Sequence, residues 1–432
     1  MRGSVSFPAI DPNPSSSRLT FHLSRRITAL LFVVMTLPWA LLAGYLLLRE
    51  APPVPAAPSI AARAEQTTTT PSRAGPWGDL ESDRIVIEPP MRFVTEEEIT
   101  PHPLRWVFPE HDRAQLRSLW QEAGLDQTAA ATLERSTIDH EPTRALIVTP
   151  PADLVRSLSP IARERIYSTL SRYRENPLQS EPFRFRADAI DEWFANSSLT
   201  ASTIEKVKPL LYRRGASVLF SDPALVLDEI RSRAERTRLI LTLARKSTLL
   251  VSLRVAPGSD TSALEAYWSR GPRSKDVGAL LSSLASRSEA TRIDIAHLLP
   301  RFARARLFTY PEPEDTPDQN HDCHWTSLNF FNIQPDERFA EAATVEATLK
   351  QDYAEISDRP AFGDILLLTR GDNQVVHSCV FIADDVVFTK NGYSATMPWM
   401  LMSLPDVVAF YPAEPALSVR TFRARSLIPA GR

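Results

Sequence analysis

Apolar and polar positions along the 432-residue chain change character several times. The run "ITALLFVVMTLPWALLAGYLLL", Ile27 to Leu48, carries no charge and is long enough to cross the ~30 Å hydrocarbon core of a bilayer as a helix. It predicts a transmembrane helix between a cytoplasmic tail (1–26) and a Pro/Ala/Thr-rich linker (49–79) with no apolar period, an extended and semi-rigid spacer. Ordered structure is expected to begin near Trp77 or within the next twenty residues.

Residues 80–300 read as mainly helical. In "SLSPIARERIYSTLSRYREN", Ser159 is an N-cap with Pro160 at the first helical position, and Ile166, Leu170 and Tyr173 share one face. "SDPALVLDEIRSRAERTRLILTLARK" repeats the device with Asp222 and Pro223, "STLLVSLRV" is β-like, and "SALEAYWSRG" and "KDVGALLSSLASR" predict further helix. From 301 to 432 the pattern turns to strands: "FGDILLLT", "VVHSCVFIA" and "VVFTKNG", joined by the turn segments "RGDNQ" and "DD". A helix opening at Cys323 and another around "EAATVEATLKQDYAEI" precede them, and helices followed by an antiparallel meander make an α+β layout.

Charge adds little: 49 basic against 52 acidic side chains offer no electrostatic case for a nucleic-acid partner. Thirty-six prolines against 13 glycines favour stiff connections and proline-led helix starts. Arg2, Arg18, Arg25 and Arg26 precede the apolar run, which by the positive-inside rule leaves the N-terminus cytoplasmic and exports the body. A cleaved secretory signal is the alternative, though signal cores usually span only ~7–15 residues; both readings export the C-terminal body.

The chain has two cysteines, and one lies in "QNHDCHWTSLNFF", between two histidines at a helix start. A thiol nucleophile needs a favoured thiolate, a histidine on a neighbouring rigid element, and a polar group holding the far ring nitrogen. Asp322 as N-cap places Cys323 in a first turn. His377 lies in an apolar strand, where an unpartnered imidazole is costly. A two-residue turn at Asp384-Asp385 would pair His377 with Gly392 and put Lys390 on its face; a three-residue loop from Ala383 would pair it with Asn391, with Thr389 beside it. Lysine cannot accept an imidazole N–H, so the second register is preferred, with Asn391 as orienter and Thr389 in reserve.

Asp322-Cys323 opening a helix, Gly363-Asp364 before "ILLLT", and His377 followed by "SCVFIADDVVFTK" together resemble the NlpC-type papain-like cysteine peptidases of bacterial cell walls, over roughly a quarter of the chain (305–412). The resemblance implies a circularly rearranged papain fold, a Cys–His–polar triad and cleavage of amide bonds in peptidoglycan peptides or another envelope amide, without a cofactor. Taken with the apolar run and its flanking arginines, it points to a bacterial inner-membrane protein anchored through residues 27–48, its body facing the periplasm or exterior. It also implies Tyr310 and the Cys323 N–H as oxyanion donors. The sequence departs from the pattern in placing His324 and Trp325 after the cysteine, where the family usually has small residues; both are candidates for the cleft. At the third catalytic position a gapless match falls on Thr389.

Three other readings compete. His321, Cys323, His377 and Cys379 supply four zinc-type ligands, but i and i+2 on a strand stand ~7 Å apart. Cys323 and Cys379 are an even pair in an oxidising compartment, as a disulfide requires. A cell-envelope binding protein without turnover would make the helical region the working part. Trp325, Phe330, Phe331 and Trp399 read as packing residues, Asp364 as a turn residue, and His321 as exposed.

Overall fold

The computed structural model describes residues 70–71, 73, 75–215, 217–270, 274–312, 321–371, 373–394, 396–411 and 416–428. They lie in a compact unit spanning Thr67 to Arg432. The apolar run 27–48 lies outside the described residues, among which no helix is long and apolar enough to cross a membrane.

The described residues mix helix and strand, consistent with an α+β class. Among them, sixteen strands run in chain order: β1 (Thr70–Pro71), β2 (Asp79–Ile87), β3 (Trp106–Pro109), β4 (Thr137–His140), β5 (Ala145–Val148), β6 (Phe183–Arg186), β7 (Tyr212–Arg214), β8 (Ser217–Phe220), β9 (Lys246–Val255), β10 (Thr291–Asp294), β11 (Tyr353–Ile356), β12 (Ile365–Thr369), β13 (Val375–Ala383), β14 (Val386–Thr389), β15 (Met400–Ser403) and β16 (Ser418–Ala424). They form four antiparallel sheets, ordered β1-β2-β9-β10, β3-β5-β4, β6-β8-β7 and β11-β16-β12-β13-β14-β15.

Residues 80–300 hold more helix than strand. Their helices are present, but β2 to β10 run among them. Most of these strands are only three or four residues long, too short for a period to register, and the nine-residue β2 hides its pattern under four charges. The Pro160–Leu170 helix has the expected cap, Ser159 accepting from the Ala162 N–H at 3.1 Å. Asp222 does not cap the Pro223–Glu229 helix; it is buried and accepts from Arg163 Nε at 3.0 Å and the Tyr167 hydroxyl at 2.5 Å. A second helix, Arg233–Ala244, starts afresh from Ser232.

Packing also moves the expected boundary at 301. One apolar cluster joins Trp77, Leu80, Val251, Leu253, Tyr267 and Trp268 to Trp325, Leu366, Cys379, Phe381 and Val387. A second is built from apolar residues between Ile99 and Leu243, Trp106, Trp120, Tyr167 and Phe220 among them. Trp77 and Tyr267 bring their rings against Phe381 and Phe362 respectively. The last sheet is thus covered by residues from the first half of the chain as well as by its own helices.

Candidate active site

The helix Cys323–Leu328 is short, and its start is set by Asp322, whose Oδ1 accepts the N–H groups of His324 (2.8 Å) and Trp325 (2.9 Å). The helix packs on β13, where Ser378 Oγ hydrogen-bonds Ser327 Oγ at 3.1 Å. Trp325 is fully buried against Phe302, Trp399 and His321, so it is core and not cleft. His321 is buried rather than exposed: its ring stacks on Trp325 at 3.9 Å and its Nε2 meets Glu337 Oε2 at 2.7 Å. His324 is half-buried, with burial lowering its pKa and the Asp322 carboxylate opposing that shift.

β13 is covered on both faces from His377 onward, which hides its alternation. Cross-strand pairing sets His377 opposite Leu368 and Cys379 opposite Leu366, so His377 and Cys379 share one face and Ser378 the other. The hairpin to β14 merges the two expected turns. Ala383 pairs with Val386 around Asp384-Asp385, then a register shift restores Phe381 to Val387 and Val380 to Phe388. Continued toward His377, that register leads to Asn391. The direct contact is nevertheless made by Thr389, whose Oγ1 lies 2.9 Å from His377 Nε2. Asn391 stands one step behind, its Oδ1 3.4 Å from Thr389 Oγ1 and its Nδ2 on Met402 Sδ at 3.2 Å. The orienting position is corrected from Asn391 to Thr389: β14 ends at Thr389, and beyond it the chain turns the Asn391 amide toward Met402.

Thr389 Oγ1 holds Nε2, with Asn391 Oδ1 as its further neighbour; in the tautomer that protonates Nε2, Nδ1 carries the lone pair. Nδ1 is buried without a hydrogen-bond partner among the described residues. Tyr411 stacks on the ring at 4.6 Å. Cys323 and His377 make no hydrogen bond, and Cys323 is 6% exposed. Tyr411, Cys379 and Lys390 lie near enough for a Cys323 thiolate to bear on their charged forms, which puts the four groups in one neighbourhood.

Tyr411 escaped the sequence reading, and Lys390 entered it only in the register that was set aside. Lys390 is buried and donates to the Gly392 and Ser394 carbonyls at 2.8 and 3.1 Å; burial pushes its pKa down to about 8, against the pull of Cys323 and Asp322. A lysine ending an apolar strand was the available signal. Tyr411 gave none, because nothing in "AFYPAEP" connects it with a strand thirty residues earlier. Tyr310 packs its ring on Phe93 at 5.9 Å, burial and Glu88 raise its pKa, and its hydroxyl is buried without a hydrogen-bond partner among the described residues.

Among the described residues the four zinc-type ligands do not come together as a group, and His321 Nε2 turns to Glu337. The metal-type group that does form consists of Asp322, Cys323 and His324, with ligand atoms within 4.8 Å of one another, although Asp322 already caps the helix. Both cysteines are free thiols, and burial together with Cys323 raises the pKa of Cys379. Asp364 is fully buried and accepts from the Ala361 N–H at 2.8 Å and from Arg423 Nη2 at 2.6 Å, a tie between a turn and β16. Comparison of the chain with protein-family models, with curated proteins and with solved structures found no match.

Proposed function

We propose that the protein is a membrane-anchored, extracytoplasmic cysteine hydrolase of papain-like type, cleaving amide bonds in cell-wall peptides or another envelope amide. The observation that carries this reading is the His377 imidazole, anchored at Nε2 by Thr389 and left with an unpartnered, buried Nδ1 beside the neighbourhood of a helix-start thiol. A buried polar atom without a partner costs ~1–3 kcal/mol and asks for a role. In the reading, Nδ1 takes the Cys323 proton as the thiolate attacks the carbonyl. The Cys323 N–H faces the oxyanion, and the imidazolium then protonates the leaving amine. Water releases the acyl group from the thioester. The Lys390 ammonium supplies positive charge near the thiolate. The thiol and Nδ1 must close on each other for this, and catalytic hydrogen bonds often tighten only when substrate binds. Amide substrate, anchoring and compartment rest on the resemblance and the apolar run 27–48.

The test measures alkylation of Cys323 by iodoacetamide at pH 7 in the full chain carrying Cys379→Ser, alongside hydrolysis of cell-wall peptides. His377→Ala should slow alkylation about tenfold and reduce turnover by ~10²–10⁴. Thr389→Val should lower both, and Asn391→Ala should lower them less. Alkylation indifferent to His377→Ala would overturn the reading. The buried thiol and the missing thiol–imidazole bond favour a second reading, a binding protein without turnover, and normal alkylation behaviour with no cleavage would select it.

A further inference from the structure

A cavity of about 310 Å³ lies where β6, β8 and β9 meet the segment from Asn391 to Phe410. Its charged lining is unbalanced. Arg84 pairs with Asp406 at 3.0 Å, and Arg186 binds Asp188, with Asp406 at 3.8 Å. Those two carboxylates are thereby matched by two guanidiniums.

Arg184 and Lys246 also line the cavity, and neither has a carboxylate partner among the described residues. Arg184 Nη1 donates to Ser217 Oγ at 2.6 Å, and its guanidinium lies 4.4 Å over the Phe410 ring. No hydrogen bond or ion pair among the described residues engages the Lys246 ammonium. Its half-buried side chain borders the cavity, and burial plus Arg184 push its pKa down to about 8. Two unmatched cations side by side are costly to keep unless something anionic joins them. The uncharged lining includes Ser217, Ser247, Thr248 and Asn391, but it is richer in apolar residues, among them Met397, Met400 and Met402, and Met side chains reshape around varied ligands.

We propose that this cavity binds a dianionic phosphate monoester carrying an apolar group, the phosphate between Arg184 and Lys246 and the apolar part against the three methionines. The charge arithmetic favours a dianion over a carboxylate, because two cations are unmatched. Arg184 retains free N–H groups for phosphate oxygens, Lys246 adds a point charge, and both are ordinary phosphate-binding groups. The site includes neither Cys323 nor His377 and stands whether or not Cys323 is a nucleophile. Asn391, which also lines it, touches Thr389 and so brings the cavity within two hydrogen bonds of the imidazole.

The test is isothermal titration of the full chain, held in lipid nanodiscs with empty discs as blank, using hexyl phosphate, hexanoate and hexanol. Hexyl phosphate should bind, hexanoate at least tenfold more weakly, and hexanol more weakly still. Lys246→Met should weaken hexyl phosphate at least tenfold, and Lys246→Arg should retain it. The proposal is overturned if hexyl phosphate does not bind at millimolar concentration, if hexanol or hexanoate matches it, or if Lys246→Met leaves its affinity unchanged.

Discussion

Lys246 shows how one side chain can be placed against stability. Its ordinary pKa near 10.5 falls to about 8 in the fold, since burial and Arg184 disfavour the cation. Between those values the unfolded chain holds the proton and the folded chain does not, so this group makes stability rise with pH from about 8 to about 10.5. Below pH 8 the full penalty applies. Lys246→Met should therefore stabilise the protein at pH 7. The shift alone corresponds to ~3 kcal/mol, and partial exposure reduces the expected gain to ~1–2 kcal/mol. Thermal unfolding of both proteins from pH 7 to 10.5 should show the advantage shrinking as pH rises; a constant or growing difference would contradict the assignment. A similar accounting separates Thr389 from Asn391. Both were visible as polar residues near the end of β14, but which of them meets the imidazole depended on where the strand stops and on the contact with Met402.

At the scale of elements, helix starts were the most legible feature, because capping is a local matter of one side chain and the N–H groups two and three residues on. Ser159 and Asp322 cap as read, and the short Cys323–Leu328 helix depends on that cap. Asp322→Ala should cost ~0.5–2 kcal/mol, whereas Asp322→Asn, which keeps an acceptor oxygen, should cost much less; denaturant titration of the two variants separates capping from charge. Asp222 shows the limit of the same signal. A buried guanidinium and a tyrosine hydroxyl claimed its carboxylate, and no local pattern foretells partners 59 and 55 residues away. The hairpin between β13 and β14 was readable as a turn, while the register shift that decides His377's neighbours came from packing.

The whole molecule is divided by its cores more than by its sequence segments. The last sheet shares a core with Trp77, Leu80, β9 and Tyr267, and Tyr267 donates its hydroxyl to the Ile382 carbonyl at 2.6 Å. Residues 301–432 expressed alone would uncover that face. The fragment should show weak near-ultraviolet circular dichroism and poor amide dispersion, whereas the full chain should show ordered spectra. A well-dispersed spectrum from the fragment would restore the boundary at 301.

The sequence by itself determined what local forces control: capped helix starts, the antiparallel strands after residue 360, and the placing of one cysteine at a helix start and one histidine in an apolar strand. Only the tertiary structure decided the rest. It placed Thr389 on Nε2, brought Tyr411 onto the imidazole and Lys390 toward the thiol, left Nδ1 without a partner among the described residues, and folded Trp77, Leu80, apolar residues of β9, Tyr267, Trp268 and Phe302 into the last sheet's core. Each of these joins residues through burial and through desolvated polar contacts. Such terms depend on what surrounds a group in space, and periodicity along the chain carries no record of that.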